Sequence, residues 1–167
     1  TDILDYVSRG GLKLEKALNH FNEVEIADKI CIDLGASTGG FTDVLLQRGA
    51  AFIYAVDVGH SQLAETIRKN PKVRNLEKTN ARQLDENIID TPPSIIVCDV
   101  SFISLQLALP AALALASEKA NLLVLVKPQF EVGKAFIGKG GVVRDENARN
   151  LAEKSICGFL QEQGWHI

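Results

Sequence analysis

Four aliphatic runs in this 167-residue chain carry a charged residue at or near their C-terminal end. "KICIDLG" (29–35) carries Asp33, "AFIYAVDVG" (51–59) carries Asp57, "SIIVCDVSF" (94–102) carries Asp99, and "ANLLVLVK" (120–127) closes on Lys127. Near-continuous apolar runs of this kind predict strands buried on both faces, as in a parallel sheet. The segments between them have helical spacing. "STGGFTDVLLQRG" puts Phe41, Val44 and Leu45 on one face and offers Gly49 as a stop. "SQLAETIRKNP" predicts a helix ended by Asn70 and Pro71, and "VRNLEK" a weak third strand. "SLQLALPAALALASEK" predicts a helix that Pro110 kinks or starts late. A last helix is expected at 144–163, stopped by Gly164. The alternation implies an α/β fold: a mostly parallel sheet, helices on both faces, right-handed crossovers. Ligands of open sheets bind beyond the C-terminal strand ends, near the switch point. Asp33, Asp57, Asp99 and Lys127 all fall there. One polar residue can simply mark a strand end; four together point to a site.

The amino-terminal "SRGGLKLEKALNHF" (8–21) is a separate helical pattern. Ser8 is its expected N-cap, and Leu14, Ala17, Leu18 and Phe21 share the face expected to pack on the sheet layer. Lys13, Lys16 and His20 fall on a neighbouring face. The expected organisation is a helical segment over 1–24 and a larger α/β domain over 25–167.

Composition bounds the function classes. Hydrophobic residues make up 46% and charged residues 23%, which is ordinary for a globular domain. No apolar run is long enough for a membrane-spanning helix, and "TDILDYVSRGG" lacks the pattern of a secretory leader. Cys31, Cys98 and Cys157 are too scattered for a metal site and read as reduced thiols of a cytoplasmic protein. The net charge of −3 gives no general signal for nucleic acid, so any such surface has to come from local placement.

"DLGASTGGF" (33–41) follows a strand and opens a helix. A dinucleotide fingerprint needs G-x-G-x-x-G, but Ser37 stands where the middle glycine belongs, and no P-loop is present. What remains is an acid followed by a small-residue turn at a helix N-terminus. That suits a ligand with a cationic or zwitterionic group near Asp33 and a carboxylate on open backbone N–H groups. Asp57 lies 22 residues after Gly35, where a carboxylate can accept both ribose hydroxyls. S-adenosylmethionine has these parts. A tight turn with no ligand is the bland alternative.

In chain order, "YVSRGGLKL", "DLGASTGGFTDVLLQRGA", "AVDVGHSQL", "KTNAR", "CDVSFISL", "LVKPQFEVGK" and "GGVVRDENAR" resemble the TlyA group. These are the hemolysin A-like members of the FtsJ-type RNA 2′-O-methyltransferases. The resemblance implies a Rossmann-like class I fold, S-adenosylmethionine as cofactor, and ribosomal RNA or ribosomal subunits as partner. It also implies a Lys-Asp-Lys-Glu catalytic set. The first three members fall on Lys13, Asp99 and Lys127, and the Glu would lie beyond residue 167. Glu131 is not its counterpart, since it belongs to the motif just after the second Lys. With neither that Glu, the last strands nor an RNA-binding domain in view, the chain is expected to be an internal piece of a longer protein. The implied cofactor residues are Asp33, Gly35, Ala36, Ser37, Thr38, Gly39, Asp57, Asn80 and Ala81.

The chemistry expected is methyl transfer to a ribose 2′-hydroxyl, with Lys127 as base, Asp99 as positioner, and Lys13 positioning substrate and modulating the amine. A lysine serves as base only when neutral, and burial at the end of an inner strand would favour that form. Arg9, Lys16, Lys134, Lys139 and Arg144 are candidates for a phosphate-binding rim, or else ordinary solvated surface. Phe102 and Phe130 are expected to pack rather than to stack on bases. Asn80 could equally be a turn residue. Three rival functions remain: a cofactor- or RNA-binding module without catalysis, a nicotinamide dehydrogenase, and a cytolysin, as the hemolysin label suggests.

Overall fold

The computed structural model describes residues 5–167; the opening four residues, part of the segment read above for a leader, lie outside it. The chain divides into two compact units. One comprises the residues up to Asp99 together with Ala111–Val124, the other Val100–Pro110 together with Leu125–Ile167.

The first unit is built on five parallel strands: β1 (Ile30–Leu34), β2 (Phe52–Val56), β3 (Val73–Leu76), β4 (Ile95–Cys98) and β5 (Asn121–Val124). Their order is β3-β2-β1-β4-β5, so the direction of winding reverses between β1 and β4. This is the doubly wound arrangement expected from the alternation. Asp33 sits opposite Ala55 of β2 and Val97 of β4, in the middle of the sheet. Cys31, Ile32, Leu34, Ile53, Ile96, Val97 and Cys98 are all fully buried.

One expectation fails at β5. The run "LLVLVK" looks like an inner strand, but among the described strands β5 is at the sheet edge. Asn121 is exposed, Leu122, Leu123 and Val124 are half-buried, and the strand stops three residues before Lys127. An aliphatic run fixes a preference for a pleated, half-buried surface but not a place in the strand order.

α1 (Gly10–His20) and α2 (Gly40–Gln47) pack on each other in this unit. Leu14 and Leu18 are buried as the spacing predicts, but Phe21 is 45% exposed, with its ring edge-on to His20. Ser8 is not the cap: the N-cap position is Arg9, which makes no side-chain capping bond. The Ser8 hydroxyl instead lies against Gly40. A side chain on Gly40 would place its Cβ 2.3 Å from Ser8 Oγ and 2.7 Å from the Gly11 amide nitrogen, so the close approach of the helices needs glycine there. Polar ties reinforce it. Asp43 Oδ2 accepts from the Val7 amide at 2.8 Å, and Arg48 donates to Asn19 Oδ1 at 2.8 Å.

The helix expected over 61–71 shrinks to one turn, α3 (Glu65–Arg68). Ser61 has a left-handed backbone (φ 54°) and its amide donates to Glu77 Oε2, which draws the chain away from helical geometry. Leu63 and Ile67 then join Ala36, Ala55 and Val73 in one apolar cluster. Pro110 splits the next helical pattern into α4 (Leu105–Ala108) and α5 (Pro110–Leu115), as its ring and missing N–H require.

In the second unit, α6 (Glu146–Glu162) is capped by Asp145, whose side chain accepts from the Ala148 amide. It buries Ala148, Ala152, Ile156 and Leu160, a stripe at i, i+4 spacing, and Gly164 ends it with φ 90°. α4 is capped by Ser104 and Glu131 together. Ser104 Oγ accepts from the Gln106 amide, while the Glu131 carboxylate accepts from Ser104 Oγ at 2.6 Å and from the Leu105 amide at 2.8 Å. Glu131→Ala is expected to lower stability by about 1–3 kcal/mol, because two donors lose a charged acceptor. Chemical denaturation measures it, and Glu131→Gln should cost less.

Candidate functional site

The sequence sends β1 into a tight turn, Gly35–Gly39, before α2 begins. Three residues of this turn are left-handed: Gly35 (φ 80°), Ser37 (φ 51°) and Gly39 (φ 106°). The Gly35 and Ala36 amides both donate to the Val56 carbonyl at the end of β2, and the Gly39 amide donates to Ala36. Asp57 completes the brace: its Oδ2 accepts from the Ser37 amide at 2.7 Å and its Oδ1 from the Gly59 amide at 2.8 Å. The amides of residues 35, 36, 37 and 39 are therefore engaged within the protein, so the turn is less open than the sequence suggested.

This turn forms one wall of a cavity of about 360 Å³, a volume in the range of small-molecule sites. Gly35, Ala36, Ser37 and Thr38 line it from below, Ser8, Arg9 and Gly10 from the start of α1, and Asp99 from the end of β4. Asp99 is fixed there because its amide continues the sheet ladder onto the Leu34 carbonyl at 3.0 Å. Gly40 and Phe41 complete the lining. The cavity lies at the C-terminal ends of β1 and β4, where the winding reverses.

Asp33 lies under the turn and is wholly buried. Its Oδ2 accepts from the Thr42 hydroxyl at 2.7 Å, while Oδ1 is buried with no hydrogen-bond partner among the described residues. Burial above all, opposed by the Thr42 bond and aided by the charges of Asp99 and Asp57, pushes the Asp33 carboxyl up to about 7. Burial and the nearby Asp33 charge also push the Cys31 thiol up to about 12, so Cys31 is a protonated core side chain.

The predicted residues separate into groups. Gly35, Ala36, Ser37 and Thr38 come together with Asp99 around one cavity, and Arg9, expected on a phosphate rim, lines it too. Gly39 and Asp57 support the turn from behind, through the Ala36 and Ser37 contacts. Asn80 is half-buried and caps a short turn at Ala81–Gln83 by accepting from the Arg82 amide at 3.0 Å. The Thr79 amide bonds the Asp57 carbonyl, which sets Asn80 and Ala81 beside the end of β2. Lys13 and Lys16 are exposed on α1.

In the second unit, Lys127 is half-buried and donates to Ser101 Oγ at 3.1 Å. The strand end therefore does not bury it as expected. Lys134, Lys139 and Arg144 are exposed. Phe102 lies on Phe130 with ring centroids 5.2 Å apart, yet it is 91% exposed at φ 64°. Its outer face is of the kind on which nucleobases stack. Sequence reading missed Ser8, Gly10, Gly40 and Phe41 as cavity walls. The signal available was the pairing of "RGG" with "TGG", small residues that let two helix starts approach.

The donor set fits S-adenosylmethionine. The cavity is concave and glycine-walled, Asp99 lines it, and beneath the turn the buried Asp33 Oδ1 lacks a partner among the described residues. Among the described residues, no group of His, Cys, Asp and Glu is placed to hold a metal ion, and no helix is long and apolar enough to cross a membrane.

Comparison with known proteins identifies the family. The FtsJ-like methyltransferase family matches residues 6–167. The 16S/23S rRNA (cytidine-2′-O)-methyltransferase TlyA of Mycobacterium tuberculosis is 50% identical over 161 residues, covering 96% of this chain and 60% of that protein. Hemolysin A of Brachyspira hyodysenteriae is 44% identical over 165 residues, covering 95% of this chain and 68% of its own length. The solved structure of a hemolysin-named protein from Lactococcus lactis superposes with a TM-score of 0.91 at 43% identity, covering 96% of this chain and 76% of that one. The chain thus spans about three fifths of the length of the TlyA relative. On the match across nearly its whole length, the chain belongs to the FtsJ-like methyltransferase family.

Proposed function

We propose that this chain is the cofactor-binding and catalytic part of an S-adenosylmethionine-dependent enzyme that methylates ribose 2′-hydroxyls of ribosomal RNA. The observation that carries the reading is the cavity between the Gly35–Thr38 turn and Asp99, braced by Asp57. Bound S-adenosylmethionine supplies a methyl group made electrophilic by its sulfonium. The chain's residues supply the rest. Gly35, Ala36, Ser37, Thr38 and Gly39 shape the bed of the amino-acid end. Asp57 can turn a carboxylate lone pair to a ribose hydroxyl while keeping the Ser37 amide, since each oxygen accepts more than one bond. Asn80 and Ala81 flank the base.

Lys127 takes the proton of the substrate hydroxyl, Asp99 orients the reacting groups, and Lys13 positions substrate. These roles rest on the family resemblance and on the residue chemistry. Arg9, Lys16, Lys134, Lys139 and Arg144, all exposed, are available to phosphates, and the open face of Phe102 to a base. A ribosomal substrate places the protein in the cytoplasm. The half-burial of Lys127 favours one second reading, a chain that binds cofactor without completing catalysis by itself.

Two measurements separate these readings. Calorimetric titration is expected to show binding of S-adenosylmethionine and none of NAD. Tritium from labelled cofactor is expected to appear in ribosomal RNA when the complete gene product meets ribosomal subunits. Binding without incorporation would support the second reading and defeat the first.

A further inference from the structure

We propose that Asp33 couples cofactor binding to the release of a proton, and so selects a cationic sulfonium ligand over its neutral thioether counterpart. The inference rests on the reading of the cavity as a cofactor site. It adds a specificity element beneath the cavity wall.

The geometry is a cluster of three carboxylates at the ends of three adjacent strands. Asp33 is on β1, Asp57 follows β2 and Asp99 follows β4. Asp99 lines the cavity, and Asp57 holds the Ser37 amide that lines it. Asp33 is wholly buried, and its Oδ1 has no hydrogen-bond partner among the described residues. The groups that face it are two carboxylates, a thiol and a hydroxyl. From β1 comes the Cys31 thiol, neutral at physiological pH, and from the neighbouring strand ends come Asp57 and Asp99. From α2 comes the Thr42 hydroxyl; Asp43, the other acid of that helix, is engaged with the Val7 amide. The cation on the cavity wall is Arg9, exposed at the start of α1.

A buried carboxyl flanked by two acids favours its neutral form, and its carboxyl is accordingly pushed up to about 7. A fixed positive charge entering the cavity reverses the balance and favours the carboxylate. The proton on Asp33 then leaves to solvent, and the sulfonium gains the carboxylate's attraction. After methyl transfer the ligand sulfur is neutral. Asp33 can regain its proton, and the attraction that held the cation is gone.

The sign follows from linkage. Binding that releases protons strengthens as pH rises, by at most about tenfold per pH unit for one proton, and levels off above the empty-site value. Affinity for S-adenosylmethionine is therefore expected to rise between pH 6 and pH 7 and flatten by pH 8. Affinity for S-adenosylhomocysteine should change less, so the ratio of the two should grow severalfold over that interval. The ligands' own amines also titrate, and Asp33→Asn leaves that contribution in place while removing the proton from Asp33.

The test is titration calorimetry of both ligands, with wild-type protein and Asp33→Asn, in two buffers of different ionisation enthalpy at pH 6, 7 and 8. Expected is proton release with S-adenosylmethionine in the wild type that exceeds the release with S-adenosylhomocysteine, and its loss in Asp33→Asn together with the pH-dependent preference. Equal proton release with both ligands in the wild type would overturn the proposal, whether or not the variant folds. So would release that survives in Asp33→Asn. If neither ligand binds the wild type at any pH, the cofactor reading falls and this inference with it.

Discussion

Lys127→Ala in the complete gene product is expected to lower ribose methylation by about 10²–10⁴-fold, the usual contribution of a positioned base. Affinity for S-adenosylmethionine should stay within a few-fold, because the cofactor cavity is walled by the Gly35 turn, the start of α1 and Asp99. Lys127→Arg is the sharper variant. It keeps a cation at the position but cannot lose a proton near neutral pH. Activity as low as that of the alanine variant would assign proton transfer to Lys127. Wild-type activity in Lys127→Arg would reduce the residue to a fixed charge. The sheet does not enclose the amine, since β5 ends at Val124 and Lys127 is only half-buried. The amine bonds Ser101 Oγ instead. Single-turnover rates against pH, with RNA saturating, are the measurement to make.

Gly40→Val is expected to cost at least about 1–3 kcal/mol, the range for forced overpacking. For a chain of this size that is several degrees of Tm, at about 2–4 °C per kcal/mol. The added Cβ would sit 2.7 Å from the Gly11 nitrogen. Ser8 can rotate away, but a backbone atom cannot, so α1 has to shift. Ser8, Arg9 and Gly10 line the cavity, so the same shift should weaken cofactor binding. Gly158→Ala is the control. It lies within α6 with nothing within 4 Å of its added Cβ, and should stabilise by about 0.5–1 kcal/mol. Thermal melts and cofactor titrations of the two variants read both effects. A Gly40→Val protein with normal Tm and normal affinity would remove the tight helix contact from the account.

The sheet was legible in the sequence because its evidence is local. β1, β2 and β4 are apolar runs a few residues long, and the acid beside each run's end marks the face where a ligand can sit. Strand order is not local. "ANLLVLVK" is as aliphatic as "KICIDLG", yet one is at an edge and the other central, and only pairing decides which. α3 was overextended because periodicity cannot register that Ser61 turns left-handed to meet Glu77, 16 residues away. The motif residues around the cavity were legible through resemblance. Their bracing was not. That Asp57 holds the Ser37 amide and that Gly40 admits the start of α1 are contacts across 20 and about 30 positions. The sequence shows the residues of such a contact but not their meeting.

The Glu131 clasp bears on how the substrate side can move. Its carboxylate ties the segment after Lys127 to Ser104 and Leu105, and Lys127 itself ties back to Ser101. Phe102 and Phe130 close the same loop from a third point. Two stretches of chain separated by some twenty-five residues are thus pinned at three places, and a displacement of either is carried by the other. The amine and the exposed ring are tied into one frame, and a substitution that loosens the Glu131 clasp is expected to alter the placement of both.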